Sequence, residues 1–166
     1  MGFPALQIVC RYPRVVGTWQ VSLLFGWFEK MNERPDVSVV MSVYNGAAHL
    51  HETIDSILSQ EGVSLEFVMV NDGSTDHSSQ ILKEYAERDS RVRIIHQENQ
   101  GLTRALITGC AAAKGHYIAR QDVGDVSLPD RLRKQITRIK QTPDIVSVSC
   151  GTRFVGPDSE YLYDSV

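Results

Sequence analysis

The chain has 166 residues, 42% hydrophobic and 22% charged, which is ordinary for one globular domain with a buried core. Its formal net charge of -3 gives no electrostatic reason to expect nucleic acid as a partner. Cys10, Cys110 and Cys150 lie far apart without a C-x-x-C pair, which argues against a zinc site or a disulfide framework. This cysteine usage favours a reducing, cytoplasmic setting.

The first thirty residues differ in character from the rest of the chain. VVGTWQVSLLFGWF, residues 15–28, is apolar and follows Arg11 and Arg14, as in a signal segment. It is too short to span a bilayer, is interrupted by polar residues and lacks a small-residue cleavage site after it. We predict that residues 1–35 are an apolar appendage and that residues 1–30 have little role. Weak association of the apolar run with the inner face of a membrane stays open as the alternative.

Regular alternation of apolar patterns begins at Val37. VSVVMSVY, residues 37–44, is a nearly continuous apolar run, as in a strand covered on both faces, and it ends at the turn pair Asn45-Gly46. One apolar helical face follows, formed by Leu50, Ile54, Ile57 and Leu58. LEFVMV, residues 65–70, predicts a second buried strand, closed by the polar stretch NDGSTD.

The same alternation continues through the middle of the chain. A helix with Ile81, Leu82, Tyr85 and Ala86 on its apolar face precedes further elements, namely a strand at 92–96, a helix at 101–114 and a strand at 116–120. Strands that alternate with helices predict parallel βαβ units. The fold class is therefore α/β, with an open, mostly parallel twisted sheet and helices on both faces.

The last third of the chain predicts one more helix and one more strand. Ser127 and Asp130 are spaced as a capping box, and Pro129 falls within the first turn of the predicted helix. IVSVSC, residues 145–150, predicts a fifth strand, and the remainder reads as a loop-like tail. We place the domain at residues 36–155 and the tail at residues 156–166.

Polar residues follow three of the predicted strands, at 44–45, 71–73 and 122–125. In an open parallel sheet, ligands bind outside the carboxyl ends of the strands. The glycine motifs of dinucleotide and nucleotide phosphate loops and the G-x-S-x-G elbow are absent from the sequence. Carboxylates at strand ends are natural ligands of Mg²⁺ or Mn²⁺, which bridge to phosphate oxygens. The pattern therefore predicts a nucleoside diphosphate held through a divalent metal.

Four stretches resemble the nucleotide-binding half of a family 2 glycosyltransferase with a GT-A, Rossmann-like fold. They are VSVVMSVYN at 37–45, FVMVNDGSTD at 67–76, ENQGLTRAL at 98–106 and the stretch from GHYIARQD to SLPDRL at 115–132. The resemblance implies transfer of a sugar, with inversion, from a nucleotide-sugar, most often a UDP-sugar. It also implies a place in cell-surface polysaccharide synthesis.

The resemblance assigns nucleotide-binding roles to five residues. Tyr44 and Asn45 match the end of the first strand, where the family places an aromatic ring near the nucleobase. Asp72 matches the acid that accepts a hydrogen bond from the base ring. Asp122 begins the D-x-D-like motif, whose acids meet the ribose and the metal, and Arg104 matches a basic residue that contacts the nucleotide.

The implied metal site departs from the family pattern. The family usually reads D-x-D-D, whereas this chain has Asp122, Val123, Gly124 and Asp125, so the second acid of the D-x-D motif is a glycine. We therefore expect Asp122 and Asp125 to hold a divalent metal more weakly than in relatives. Ile107 stands where relatives commonly carry asparagine.

The family places its acceptor half and general base beyond the length of this chain, so the sequence reads as truncated and its catalytic residues stay unassigned. A non-catalytic nucleotide-binding remnant or scaffold module is the alternative function. Plainer interpretations also exist for single residues: Asp72 as only a turn former, Tyr44 as a core aromatic, and Asp122 and Asp125 as acids at a helix start. His49 and His51 are more simply surface histidines than metal ligands.

Overall fold

The computed structural model describes residues 9–11, 34–156 and 160–165. The helices in these ranges are α1 (Leu50–Leu58), α2 (Ser78–Arg88), α3 (Leu102–Ala112) and α4 (Arg131–Gln141). The strands are β1 (Val9–Arg11), β2 (Val37–Val43), β3 (Leu65–Asp72), β4 (Val92–Gln97), β5 (Tyr117–Asp122), β6 (Ser147–Val148), β7 (Thr152–Val155) and β8 (Tyr161–Ser165).

Six of these strands form one sheet in the order β4-β3-β2-β5-β1-β6. Strands β2, β3, β4 and β5 are mutually parallel where they pair, as crossover helices require. The predicted α/β fold with an open, mostly parallel sheet is confirmed. Strand β1 runs antiparallel to both of its neighbours, β5 and β6.

Part of the predicted appendage belongs to the sheet. Val9 lies opposite Ala119 on one side and opposite Val148 on the other. The apolar run 15–28 lies outside the described residues, so the small role expected of residues 1–30 stays a prediction. No helix in the described part of the chain is both long and apolar enough to cross a membrane.

Helices cover both faces of the sheet because the parallel strands are apolar on both sides. Helices α1, α2 and α4 contribute Ile54, Leu82 and Ile136 to the larger core on one face. Helix α3 covers the other face, where Val40 belongs to the smaller core. A Cβ atom at Gly109 of α3 would stand only 2.5 Å from Val40 Cγ1, so glycine permits the close approach of this helix.

The predicted capping box of α4 is wrong. The helix begins at Arg131, after Pro129, and its N-cap residue Asp130 makes no side-chain capping hydrogen bond. The Ser127 hydroxyl instead donates to Gln121 Oε1 over 2.9 Å, in the buried space below the loop. Asp130 pairs with Lys134 at 2.7 Å. Tertiary partners thus take both side chains that the local pattern assigned to the cap.

The C-terminal predictions need two corrections. The strand predicted at 145–150 shrinks to β6, and the tail predicted to be loop-like contains β8, which pairs antiparallel with β7. Phe154 stacks on Tyr163 across the hairpin with ring centroids 4.4 Å apart. Such cross-strand aromatic pairs stabilise a hairpin that a polar, glycine-containing sequence does not reveal.

Candidate functional site

The carboxyl ends of β2, β3 and β5 meet at one edge of the sheet. Val43 is paired with Asn71 of β3, and Ser42 is paired with Asp122 of β5. Tyr44 follows directly after β2, while Asp72 and Asp122 are the last residues of their strands. The structure therefore brings these three sequence-predicted residues to a common edge.

Tyr44 and Asn45 play different parts at this edge. Tyr44 is 55% exposed, so this side of the sheet edge is open to solvent. The interpretation of Tyr44 as a core aromatic is therefore wrong. Asn45 has a positive φ of 50°, which asparagine tolerates better than most residues. Its Oδ1 accepts hydrogen bonds from the Thr75 N–H at 2.8 Å and from the Thr75 hydroxyl at 3.3 Å. The Asn45 side chain thus ties the loop after β2 to the loop after β3.

Polar side chains of the loop after β3 form hydrogen bonds to the backbone of the loop after β2. Asp76 accepts hydrogen bonds from Ala47 N at 3.0 Å and Ser78 N at 2.9 Å, and Ser78 Oγ accepts one from Gly46 N at 3.0 Å. Buried Asn71, which lies at the strand end 71–73 where the sequence predicted the site, accepts one from Ser74 N at 3.0 Å. The stretch NDGSTD therefore forms a hydrogen-bonded loop beneath the candidate site.

Asp72 is 1% exposed, and both of its carboxylate oxygens are hydrogen-bonded. Oδ1 accepts from Gln97 Nε2 at 2.7 Å and from Gln100 N at 2.9 Å, and Oδ2 accepts from Gly101 N at 2.8 Å. Burial by itself raises the pKa of Asp72, but these hydrogen bonds outweigh it and hold the pKa below its ordinary value. The interpretation of Asp72 as only a turn former is wrong.

Helix α3 starts immediately after the residues that Asp72 holds. Gly101 is the N-cap residue of α3, so the carboxylate fixes the position of the helix start. Arg104 lies in the first turn and is exposed, and its side chain has no hydrogen-bond or ion-pair partner within the described ranges. Ile107, one turn further, is 63% exposed.

Asp122 is paired with Arg120, a residue that the sequence reasoning missed. Arg120 Nε donates to Oδ1 at 2.9 Å, and Nη2 donates to Oδ2 at 2.6 Å, in a bidentate arrangement. Residues two apart in a strand point to the same face, so the R-x-D spacing at the end of a strand was the signal. The pair is partly exposed, with side chains 31% and 20% accessible for Arg120 and Asp122.

The backbone of the acid loop after β5 is anchored from below. Gly124 N donates to Thr53 Oγ1 at 2.9 Å, and Gln121 Nε2 donates to the Asp125 carbonyl at 2.8 Å. Gly124 has a φ of +93°, in the region that favours glycine. Since α4 begins only at Arg131, Asp122 and Asp125 lie too far ahead to act as helix-start acids, and that interpretation is wrong.

The oxygen donors at this edge suit a divalent metal only in part. The described residues include no group of three or more His, Cys, Asp or Glu side chains that could hold a metal ion. The exposed His49 and His51 therefore belong to no such group. Mg²⁺ and similar ions are nevertheless often bound by one or two carboxylates together with substrate phosphates. Asp122 and Asp125 supply two carboxylates in the loop after β5, the number that a metal of that shared kind uses.

A second feature missed from the sequence is the buried Arg131 beside the acid loop. Its Nη2 donates to Gln121 Oε1 at 3.2 Å, whereas its Nε has no hydrogen-bond partner among the described residues. Burial lowers the pKa of this guanidinium to about 10, against the opposing effects of Cys150 and Asp125. A cavity of about 810 Å³ lies next to it, between the acid loop, α4 and the β7–β8 hairpin.

Comparisons with known proteins agree on one family. The model of the family described as glycosyl transferase family 2 matches residues 38–165. The uncharacterized glycosyltransferase EpsJ of Bacillus subtilis strain 168 is 39% identical over 117 residues, which are 70% of this chain and 34% of EpsJ. EpsE of the same strain is 41% identical over 113 residues, which are 67% of this chain and 41% of EpsE. The chain thus spans between a third and two-fifths of the length of these relatives.

Solved structures agree with this result. The mannosyltransferase PcManGT from Pyrobaculum calidifontis, in complex with GDP-Man and Mn²⁺, is 28% identical, with a TM-score of 0.52 over 57% of this chain and 29% of its own. Residues 1–349 of S. aureus TarS, in complex with UDP, share the fold at 23% identity, with a TM-score of 0.59 over 64% of this chain and 32% of that one. The sequence resemblance is confirmed. Since the family model matches most of its length, this chain belongs to glycosyl transferase family 2.

Proposed function

We propose that this chain is the donor-binding part of an inverting glycosyltransferase, which transfers a sugar from a nucleotide-sugar to an acceptor in polysaccharide synthesis. The observation that carries the proposal is the placement of Tyr44, Asp72 and Asp122 at one edge of a parallel sheet. Ligands of open α/β sheets bind at this edge. Family membership and the nucleotides in the PcManGT and TarS complexes support it.

In this proposal the nucleobase lies between Tyr44 and the loop held by Asp72. The exposed ring of Tyr44 offers an apolar face on which a base can stack. Asp72 contributes first by holding the backbone at Gln100 and Gly101. A carboxylate has about four acceptor sites, and the three hydrogen bonds to Asp72 leave one for the base ring. Asn45 supports both loops beneath the base.

The diphosphate is assigned to the acid loop and the start of α3. Arg104 is an exposed cation with no partner in the described part of the chain, so it is available to a phosphate group. Asp122 and Asp125 would hold a divalent metal together with phosphate oxygens. When bound, such a metal neutralises charge on the departing diphosphate. We propose a UDP-sugar as the donor, by the family resemblance.

A non-catalytic nucleotide-binding module is the second candidate function. The observation in its favour is Gly124, which leaves the D-x-D-like motif without its second acid. Either function uses a nucleotide that is plentiful in the cytoplasm, where we place the chain. Under both proposals the apolar run 15–28 associates weakly with the inner face of the membrane.

Calorimetric titration with UDP, GDP and dTDP, each with and without Mn²⁺, tests the proposed function. We expect one nucleotide to bind, more tightly with Mn²⁺, and Asp122→Asn to weaken that binding. Asp89→Asn is the matched control, because Asp89 also pairs bidentately with an arginine two residues away but lies before β4, at the opposite edge of the sheet. A folded sample that binds none of the three nucleotides would contradict the proposal.

Incubation of the chain with UDP-sugars tests the transferase function directly. Release of UDP with water as the acceptor, abolished by Asp122→Asn and unchanged by Asp89→Asn, would support the enzyme. Donor binding without release fits both the module and a donor-binding part whose general base lies outside this chain, as the family resemblance implies.

A further inference from the structure

The ion pair between Arg120 and Asp122 carries an inference about how this site handles cations. We propose that Arg120 is a built-in counter-ion that competes with divalent metal for Asp122 and, when released, contributes positive charge to the diphosphate of the donor. The inference deepens the proposed function and rests on it for the identity of the diphosphate. It makes Arg120 a determinant of metal dependence.

The geometry of the pair engages the whole carboxylate. The two hydrogen bonds, of 2.9 and 2.6 Å, use both Oδ atoms of Asp122. The side chains are only 31% exposed for Arg120 and 20% for Asp122, so water screens the attraction incompletely. A metal ion that approaches Asp122 must therefore share the carboxylate with a cation or displace it.

The surroundings of the pair strengthen this competition. Gly124 offers no carboxylate that could draw a metal into the loop, and its side of the loop is open, since a Cβ atom there would meet nothing within 4 Å. The described residues contain no group of three potential metal ligands at this edge or elsewhere. A metal thus depends on Asp122, the carboxylate that Arg120 occupies, and on Asp125.

The position of Arg120 suits it for a second partner. Arg120 is paired with Val40 in the sheet register, and Val40 packs under α3, so the guanidinium lies on the sheet face that α3 covers. Arg104 projects from the first turn of the same helix. Two cations on one face, at the carboxyl edge, match the two negative charges of the diphosphate in a nucleotide-sugar. Arginine is the side chain best suited to bidentate phosphate contacts.

The chain offers a matched control pair for this inference. Arg91 pairs with Asp89 with the same two-residue spacing, at 2.7 Å, and with similar exposure, 40% and 24%. This pair lies at the amino edge of the sheet, before β4. Arg91→Gln therefore removes an equivalent charge away from the site.

The test is a titration of the full chain with Mn²⁺ alone, in which the electron paramagnetic resonance signal reports the free ion. We expect Arg120→Gln to bind Mn²⁺ roughly fivefold more tightly than the wild type, as removal of a partly exposed competing ion pair predicts. Arg91→Gln should leave the affinity unchanged. Arg120→Lys keeps the charge without the bidentate fork and should give a smaller increase, and it serves as the second variant if Arg120→Gln does not fold.

A nucleotide titration in EDTA completes the test. Arg120→Gln should bind UDP, GDP or dTDP, whichever the wild type prefers, roughly tenfold more weakly without metal, because a charge-assisted phosphate contact is lost. Unchanged Mn²⁺ affinity in folded Arg120→Gln, or no Mn²⁺ binding by either protein, would overturn the competition. If Mn²⁺ binding tightens as expected but no protein binds a nucleotide, the proposed function fails and the competition stands.

Discussion

Asp72 and Asp122 each end a parallel strand at the same edge of the sheet, yet their carboxylates are held in different ways. Asp72 is 1% exposed and accepts two backbone N–H groups and one side-chain amide, from residues 25 to 29 positions later in the chain. The Asp122 side chain is 20% exposed and is paired with one arginine from its own strand. One acid organises its surroundings, and the other is neutralised by a neighbour.

The difference indicates that the two acids contribute differently to the stability of the fold. Removal of the Asp72 carboxylate would leave several buried N–H groups without an acceptor, so Asp72 stabilises the folded state. A partly exposed ion pair contributes only about 0.2–1 kcal/mol to stability, so Asp122 can exchange its partner for a ligand at small cost. The fixed acid supports the proposed base site, and the exchangeable acid lies at the proposed diphosphate site.

The largest expected effect is that of Asp72→Asn. The amide keeps one carbonyl oxygen but turns an NH₂ group towards backbone N–H donors, which should lower the free energy of unfolding by about 1–3 kcal/mol. Urea denaturation followed by circular dichroism measures this change. Glu98→Gln, an exposed change in the same loop region, is the control and should stay within about 0.5 kcal/mol of the wild type. Equal stability of the two variants would contradict the conclusion that Asp72, unlike Asp122, stabilises the fold.

The pH dependence of stability sharpens the same contrast. The folded pKa of Asp72 lies below its ordinary value, so its stabilising effect is fully present above an unfolded pKa of about 3.9. That effect is lost as the pH falls through the folded pKa. Asp72→Asn should therefore show a shallower loss of stability than the wild type between about pH 5 and about pH 2. Urea midpoints across this range measure the slopes.

Glu66 provides the comparison for this measurement. It is buried at the opposite edge of the sheet, where Ser38, Lys114 N and Arg93 donate to it, and these contacts outweigh burial to lower its pKa. Glu66→Gln should likewise flatten the acid decline, because the folded pKa of Glu66 is also lowered, but without change in nucleotide affinity. Identical slopes for the wild type and Asp72→Asn would contradict the assignment to Asp72.

Much of this architecture could be predicted from the sequence because burial on both faces leaves a strong pattern. The strand predicted at 37–44 is found at Val37–Val43, and the convergence of Tyr44, Asp72 and Asp122 follows from parallel pairing alone. The N–H groups that hold Asp72 could not be predicted, since backbone donors leave no signature in residue types. Strand β1 has only three residues, too few for any periodicity.

The failures have a common cause in tertiary contacts. The capping box predicted at Ser127 was wrong because a glutamine of β5 takes its hydroxyl. Strand β8 was missed because it is supported by contacts across the hairpin, such as the stacking of Phe154 on Tyr163, that its own sequence does not reveal. The Arg120–Asp122 pair, in contrast, follows from strand alternation, which places both side chains on the same face of β5.

Substitution of Gly124 should have the next largest effect on stability. Its φ of +93° is strained for other residues, although its Cβ position is open, so Gly124→Ala should lower the free energy of unfolding by about 1 kcal/mol. Gly124→Asp carries similar strain but adds a carboxylate, and should raise Mn²⁺ affinity about tenfold if the loop is a weakened metal site. Denaturation and Mn²⁺ titration measure the two effects. Equal Mn²⁺ affinity in both variants would assign the loop to metal-independent binding.

The smallest expected effect is that of Asp122→Asn on stability. The pair with Arg120 is partly exposed, so its loss should change the free energy of unfolding by only about 0.2–1 kcal/mol. A double-mutant cycle with Arg120→Gln isolates this coupling, and the Asp89–Arg91 pair gives the reference value for another bidentate pair with the same two-residue spacing. A coupling free energy well above the reference would mean that Asp122, like Asp72, stabilises the fold. A coupling at or below it leaves the carboxylate free to exchange Arg120 for a ligand, as the proposed diphosphate site requires.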